Sequence, residues 1–294
     1  MNQQTNYLLD ALKGFEKKDP RYINLCHQFG ERDLSKITSI PWHSLKDPEN
    51  ILVLLAAGQK ISKLDASIGK LRTLKLLDLS QNPLEELPKE IGQLVELESM
   101  RLAETFEVNP YQYCELLFSG PRHYPDFLSE AGLRDLPEEF GNLQNLQSLQ
   151  MDSNRFEQIP DSVFNLKNLK SLDLGANLLK SISPKIGQLR DLEYLKLSRN
   201  NFSELPESIG ELKKLKRLRL DSLHLTTLPE SIGEMTKLEM LEICQGKIDH
   251  IPSSIQYLTN LRYIYLVDTE VDEIYVNMLK VLLPDTEISF EAGF

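Results

Sequence analysis

Residues 74–96 read LKLLDLSQNPLEELPKEIGQLVE, and the pattern of leucine, asparagine, proline and glycine in this stretch returns after 23 residues. One unit begins earlier, at Ile51, and later units begin at residues 97, 146, 169, 192, 215, 238 and 261. The step from 97 to 146 spans 49 residues, which is one 23-residue unit plus an insertion of 26 residues. Nine units in a single register indicate a repeat architecture.

Each part of the unit has a structural meaning. The LxxLxL start alternates apolar and polar residues, which predicts a short strand with its leucines on one face. Stacked units place these strands side by side, in a parallel sheet on the order of 40 Å long at about 4.8 Å per strand. The LxxLP segment reverses the chain because proline fixes φ. The IGxL segment predicts a turn or single helical turn on the opposite, convex side, so the fold class is an α/β solenoid.

Four units carry an asparagine just after the predicted strand, namely Asn82, Asn154, Asn177 and Asn200. An inward-pointing amide at this position satisfies backbone groups of the neighbouring turns, which would otherwise be buried without a hydrogen-bond partner. Other units depart from the pattern. Asparagine is replaced at Thr105, Leu223, Gly246 and Thr269, and Ser183 stands where other units have proline. We expect less regular turns there.

The ends of the repeat array predict caps, since no unit can bury its leucines alone. We predict that residues 1–50 form a helical N-terminal cap, with a helix over 4–18 and a degenerate first turn. The solenoid then occupies residues 51–275. Residues 276–294 form the C-terminal cap, with a closing helix stopped by Pro284 and an edge strand over Glu287–Phe290.

The composition limits which kinds of partner the chain is expected to bind and in which cellular compartment it is expected to lie. The net charge of −11 argues against binding to nucleic acid or to an anionic membrane, because both require a basic surface. The three cysteines are widely spaced and form no CxxC, which favours a reducing compartment. The N-terminus shows no secretory signal, and no stretch of about eighteen apolar residues occurs. We expect a cytoplasmic protein; export by a signal-peptide-independent system is the alternative.

The consensus LxxLxLxxNxLxxLPxxIGxLxx over residues 51–275 resembles the 23-residue leucine-rich-repeat family, in particular its bacterial and small-GTPase-associated members. This resemblance implies a horseshoe whose concave face carries the parallel sheet. It also implies that the chain recognises a macromolecule. It does not identify that partner, because members of one fold bind very different ligands.

The solvent-facing strand positions predict a binding surface in the C-terminal half of the sheet. The predicted contact residues are Tyr194, Lys196, Arg199, Arg217, Arg219, Met240, Tyr263 and Tyr265. Tyrosine, methionine and arginine are enriched in interface cores, and basic residues on an acidic molecule predict a protein partner with an acidic contact surface. The alternative is a solvated face on which Asp173, Asp221 and Glu242 neutralise the basic residues.

The insertion, residues 103–131, is the second predicted contact surface. It follows a strand directly, so we expect it to emerge at the rim of the concave face, and it is dense in aromatic residues. The predicted contacts are Tyr111, Tyr113, Phe118 and Tyr124. Long loops in compact repeats are usually functional or disordered, and aromatic residues disfavour disorder. A flap that packs on the sheet is the alternative to a partner-binding loop.

Catalytic chemistry is not predicted. Cys26 and His27 are adjacent in sequence, which rarely lets their side chains meet productively, and no third group supports a pair of Cys114 with His123. No phosphate-binding loop or metal motif occurs. We expect a non-enzymatic, monomeric protein-binding module without a cofactor or metal. Two alternatives are a secreted bacterial effector that binds a host protein, and a module that recognises a glycan or cell-wall ligand.

Overall fold

The computed structural model describes residues 20–25, 38–45, 47–103, 131–221 and 224–290. Within these residues the chain forms one open sheet of eleven parallel strands, each hydrogen-bonded to the next in chain order. The strands are β1 (Tyr22–Asn24), β2 (Val53–Leu55), β3 (Leu76–Asp78), β4 (Ser99–Arg101), β5 (Ser148–Gln150), β6 (Ser171–Asp173), β7 (Tyr194–Lys196), β8 (Arg217–Arg219), β9 (Met240–Glu242), β10 (Tyr263–Tyr265) and β11 (Glu287–Ser289). The predicted solenoid with a parallel sheet on its concave face is confirmed.

Short 3-10 helices form the convex side, where the IGxL segments predicted a turn or helical turn. They are η1 (Trp42–Ser44), η2 (Pro48–Asn50), η3 (Ala66–Lys70), η4 (Lys89–Gln93), η5 (Glu138–Asn142), η6 (Asp161–Asn165), η7 (Pro184–Gln188), η8 (Glu207–Glu211), η9 (Glu230–Glu234) and η10 (Ser253–Tyr257). The glycine of the IG pair allows these helices to stack closely. A Cβ added at Gly92 would lie 2.2 Å from the carbonyl oxygen of Glu139 in the next unit.

The core is one continuous apolar column between the sheet and the 3-10 helices. Each unit adds apolar residues from the same repeat positions. In the unit of β6, Leu169, Leu172 and Leu174 are all completely buried. The cluster runs without interruption from Leu25 to Leu283. Stability of such a column comes from stacking between neighbours, because one unit leaves its leucines exposed on both sides.

The four asparagines point inward, as predicted. The Nδ2 of Asn177 donates to the carbonyl oxygens of Met151 at 3.0 Å and Leu174 at 3.1 Å, and its Oδ1 accepts from the Phe156 N–H at 3.2 Å. The equivalent contacts occur at Asn82, Asn154 and Asn200. Each asparagine therefore joins its own turn to the turn of the preceding unit.

The residue before each of these asparagines has a left-handed backbone, which the sequence analysis missed. The φ angles are 58° at Gln81, 61° at Ser153, 51° at Ala176 and 58° at Arg199. Alanine and arginine rarely adopt this conformation. No glycine marks the position, so the sequence carries no direct signal for it. The same conformation occurs at Gln245 and Asp268, which no asparagine follows.

The two ends differ in how well the sequence predicted them. After β10 the structure has a helix, α1 (Glu273–Leu282), which begins three residues before the predicted cap at 276, and strand β11 where an edge strand was expected. At the other end, β1 was not predicted: Ile23 lies opposite Leu54, 31 positions later, so this strand stands outside the 23-residue register. The predicted helix over residues 4–18 lies outside the described residues. Among the helices that are described, none has the length and hydrophobicity needed to span a bilayer.

Candidate protein-binding surface

The concave face presents alternate strand side chains in columns, because parallel strands in register place equivalent residues side by side. The first column runs through Tyr194, Arg217, Met240 and Tyr263, and the second through Lys196, Arg219, Glu242 and Tyr265. The structure therefore brings together seven of the eight residues predicted on this face. The eighth, Arg199, lies in the turn after β7, where its N–H donates to the carbonyl oxygen of Asp221 at 2.6 Å.

The side chains of the first column become more exposed towards the C-terminus. Ser171 is completely buried on the concave side, and Tyr194 is only 2% exposed. Arg217 and Met240 are half-buried, and Tyr263 is 38% exposed. Tyr194 was expected to face solvent as a contact residue; in the structure it is a buried side chain that offers no surface to a partner. The accessible part of the column begins at β8.

Two of the predicted basic contact residues are already paired inside the protein. The Nζ of Lys196 lies 3.1 Å from an Asp173 carboxylate oxygen, and a guanidinium nitrogen of Arg219 lies 2.6 Å from a Glu242 carboxylate oxygen. Burial opposes both charges, but the facing carboxylates outweigh it and raise the pKa of Lys196 and of Arg219. Burial, together with the Asp173 charge, raises the pKa of Tyr194 to about 12. For Lys196 and Arg219 the structure therefore fits the alternative in which acidic residues of the same face neutralise the basic side chains.

Arg217 differs from its neighbours. Within the part of the chain that the structure describes, its guanidinium forms no ion pair and no hydrogen bond, although Lys196 and Arg219 on the adjacent column are both paired. Its column neighbours are the buried Tyr194 on β7 and the half-buried Met240 on β9. Among the described residues, Arg217 therefore presents a guanidinium without an ion-pair partner beside the apolar side chain of Met240.

Two stacked tyrosines complete this surface on β10. The ring centroids of Tyr263 and Tyr265 lie 6.4 Å apart and the ring planes differ by 14°. Burial, with the Glu287 and Glu242 carboxylates, raises the pKa of Tyr265, so this ring remains neutral at physiological pH. We call Arg217, Met240, Tyr263 and Tyr265 the C-terminal concave patch.

Beside the patch, Asp221, Glu242 and Cys244 have potential metal-ligand atoms within 4.8 Å of one another. Their other contacts disfavour a metal. Glu242 is bound to Arg219, and an Asp221 oxygen accepts the Cys244 N–H at 3.2 Å. Burial, with the Asp221 and Glu242 charges, raises the pKa of the Cys244 thiol, whereas metals bind the thiolate. These residues are better described as a polar contact between β8 and β9.

A hydroxyl, an imidazole and a carboxylate meet on another part of the surface. The Thr227 Oγ1 lies 3.1 Å from the Nε2 of His250, whose Nδ1 lies 2.5 Å from an Asp249 carboxylate oxygen. This is the order of groups in a nucleophilic triad. The His250 and Asp249 side chains are 57% and 60% exposed, however, and transition-state stabilisation depends on a site from which water is excluded. The arrangement does not favour catalysis.

The predicted insertion contacts Tyr111, Tyr113, Phe118 and Tyr124 lie outside the described residues. Both flanks of the insertion are described, and one side chain holds them. The Asn154 Nδ2 donates to the carbonyl oxygen of Leu102 at 2.9 Å, and its Oδ1 accepts from the Leu133 N–H at 3.0 Å. Strand β4 pairs directly with β5, so the repeat register continues across the insertion.

Family profiles identify the repeats over two parts of the chain. The profile described as "Leucine-rich repeat region" matches residues 172–284, and the profile described as "Leucine Rich Repeat" matches residues 73–94 and 145–166. Together they cover just over half of the chain. A search of curated protein sequences gives no significant match.

Solved structures share the fold. A leucine-rich-repeat protein of Leptospira interrogans has 28% identity and a TM-score of 0.64, over 87% of this chain and 64% of that one. The plant peptide hormone receptor RGFR1, in complex with RGF2, has 26% identity and a TM-score of 0.61, over 82% and 36%. The leucine-rich-repeat domain of the type III effector XopL is 22% identical, with a TM-score of 0.63 over 82% and 76%. This chain spans less than two thirds of each of the first two proteins.

Proposed function

This chain belongs to the leucine-rich-repeat family, and we propose that it is a non-enzymatic interaction protein that binds a protein partner through the C-terminal concave patch. The observation that carries the proposal is Arg217, a half-buried guanidinium that no described carboxylate neutralises. A partner carboxylate placed there forms a charge-assisted hydrogen bond in a partly desolvated setting, where such bonds are strongest. The proposed partner therefore presents an aspartate or glutamate to this patch.

The residues around Arg217 suit the core of an interface. Met240 and Tyr263 provide apolar surface on the two strands beyond it. Tyrosine contributes a large contact area at a small cost in conformational entropy. The stacking of Tyr263 on Tyr265 orders both rings before binding, which lowers that cost further. Lys196 and Arg219, both predicted as contacts, act in this proposal as internal ion pairs that support the patch.

Two further points support a polypeptide ligand. RGFR1, a protein with a similar solenoid, is solved in complex with RGF2. The insertion, with Tyr111, Tyr113, Phe118 and Tyr124, also begins after β4 on the same sheet, and we propose it as a second contact surface. The cysteine composition leads us to place this activity in the cytoplasm, and an exported effector that binds a host protein is the second candidate.

The test is affinity capture from a lysate of the native cell with two matched double variants. Arg217→Ala/Tyr263→Ala removes the patch. Arg190→Ala/Tyr257→Ala makes the same two changes on the convex side, where the Arg190 side chain is 76% exposed and Tyr257 is 62% exposed. We expect the wild type and the convex variant to recover the same protein, and the patch variant to bind it about 30-fold or more weakly.

Circular dichroism and thermal unfolding show that each variant is folded. Equal recovery of the same partner by the patch variant contradicts the proposed site. Recovery that does not weaken as salt is raised from about 0.05 to 0.5 M contradicts the proposed ion pair with Arg217.

A further inference from the structure

The closing helix α1 is apolar on two faces. On the inner face, Val276 and Leu279 are 2% and 0% exposed. On the outer face, Ile274 and Val281 are each 80% exposed and Met278 is 44% exposed. Spacings of four and three residues place these three side chains in one stripe along the helix. An exposed apolar stripe of this kind indicates a binding surface on the outer face of α1.

The polar residues of α1 are arranged beside this stripe. Glu273, Asn277 and Lys280 are exposed and repeat with the same spacing of four and three residues, so they form a second stripe along one flank of the first. Its charge runs from negative at the start of the helix, through a neutral amide, to positive in its last turn. Reversing the helix direction therefore brings opposite charges together.

We propose that the outer face of α1 is a homodimer interface, on which a second copy of this chain packs its own α1 in the antiparallel direction. A two-fold axis near Asn277 sets Ile274 against the partner's Val281 and Glu273 against the partner's Lys280. Such an interface uses the same patch on both copies, as dimers with two-fold symmetry require. Antiparallel packing also aligns the helix dipoles favourably.

The size of the stripe sets the strength of the dimer. Three side chains supply only a few hundred Å² of apolar surface, roughly, whereas a standard interface buries about 800 Å² per partner. We therefore expect a weak dimer, with a dissociation constant in the micromolar range or above, on the order of 10 to 100 μM. This differs from the monomer that the sequence led us to expect. The dimer is independent of the C-terminal concave patch.

Sedimentation equilibrium of the full chain, from about 5 to 500 μM, tests the dimer. We expect the average mass to rise with concentration towards twice that of one chain. Ile274→Ser/Val281→Ser is expected to abolish this rise. Val95→Ser is the control, since Val95 is another exposed apolar side chain, at 46%, outside α1. The patch variant Arg217→Ala/Tyr263→Ala is expected to dimerise like the wild type.

A charge exchange tests the antiparallel arrangement itself. Glu273→Lys places lysine against lysine in both halves of the dimer, and we expect it to weaken association about 3- to 10-fold. Adding Lys280→Glu to the same chain restores the opposite charges and is expected to return association to within about 2-fold of the wild type. Circular dichroism verifies that α1 is retained. A wild type that stays monomeric, a dimer that survives Ile274→Ser/Val281→Ser, or a charge exchange that fails to restore association each overturns the proposal.

Discussion

The solenoid has two regions that share the same repeat but differ in their turn residues and in the exposure of their concave side chains. In the first, residues 47–201, asparagines join successive turns and the concave column is buried, as at Ser148, Ser171 and Tyr194. In the second, from β8 onwards, Gly246 and Thr269 stand where the asparagine was, and the same column carries Arg217, Met240 and Tyr263.

We propose that this difference separates a part that stabilises the solenoid from a part that binds the partner. In the first region the Asp173 carboxylate on the sheet face is paired with Lys196, and the asparagine amides form hydrogen bonds with neighbouring turns. In the second region Arg217 keeps a charge that no described carboxylate balances. The large side chains of Arg217, Met240 and Tyr263 are partly accessible on the strands of the second region.

The largest expected effect contrasts the turns of the two regions. Asn177→Ala removes hydrogen bonds to three carbonyl oxygens and leaves the buried Phe156 N–H without this acceptor, so we expect a loss of about 2–4 kcal/mol in the free energy of unfolding. Thr269 stands at the same repeat position and makes one contact through its hydroxyl, to the Leu266 carbonyl oxygen at 3.0 Å. Thr269→Ala should cost about 1 kcal/mol.

Urea unfolding of both variants at neutral pH measures the contrast. Equal losses for Asn177→Ala and Thr269→Ala would show that the asparagines do not distinguish the two regions. A change in the slope of the unfolding free energy with urea would instead indicate that the repeats no longer unfold together.

A smaller effect contrasts two tyrosines of the same column. Burial raises the pKa of Tyr194 from 10.0 to about 12, whereas Tyr263 is exposed. The folded protein holds the Tyr194 hydroxyl proton more tightly than the unfolded chain does. The contribution of this proton to the free energy of unfolding is therefore complete below pH 10 and is lost as the pH rises towards 12. A shift of about two pKa units corresponds to about 2–3 kcal/mol.

We therefore expect Tyr194→Phe to reduce the loss of stability between pH 10 and pH 12. Urea unfolding at a series of alkaline pH values measures this variant against the wild type. Parallel curves for the wild type and Tyr194→Phe would mean that Tyr194 is accessible in solution.

The sequence predicted the parts of the molecule that depend on the repeat. The strands, the convex helices and the inward direction of Asn177 follow from positions within each unit, because every unit meets the same neighbours. Strand β1 was missed because it pairs across 31 positions instead of 23. The exposed stripe of α1 was missed because the sequence shows apolar residues on two faces of this helix but does not show which face packs against the core.

For the candidate site, the sequence predicted which residues lie next to one another on the sheet, but not which of them are buried or paired. The register placed Tyr194, Lys196 and Arg217 on one face, but their roles depend on packing between side chains of adjacent strands. Burial removes Tyr194 from the surface and an ion pair occupies Lys196, whereas Arg217 keeps its charge available. No periodic pattern encodes those differences.

Site-specific photo-crosslinking tests most directly whether recognition belongs to the second region. A photoreactive phenylalanine derivative would replace Tyr263 on β10 in one variant and Gln150, a half-buried concave residue on β5, in the other. After irradiation in native-cell lysate, we predict a crosslinked protein from position 263 and none from position 150, with the 263 product lost when Arg217→Ala is added. Equal crosslinking from both positions, or from position 150 alone, would contradict the assignment of binding to the C-terminal concave patch.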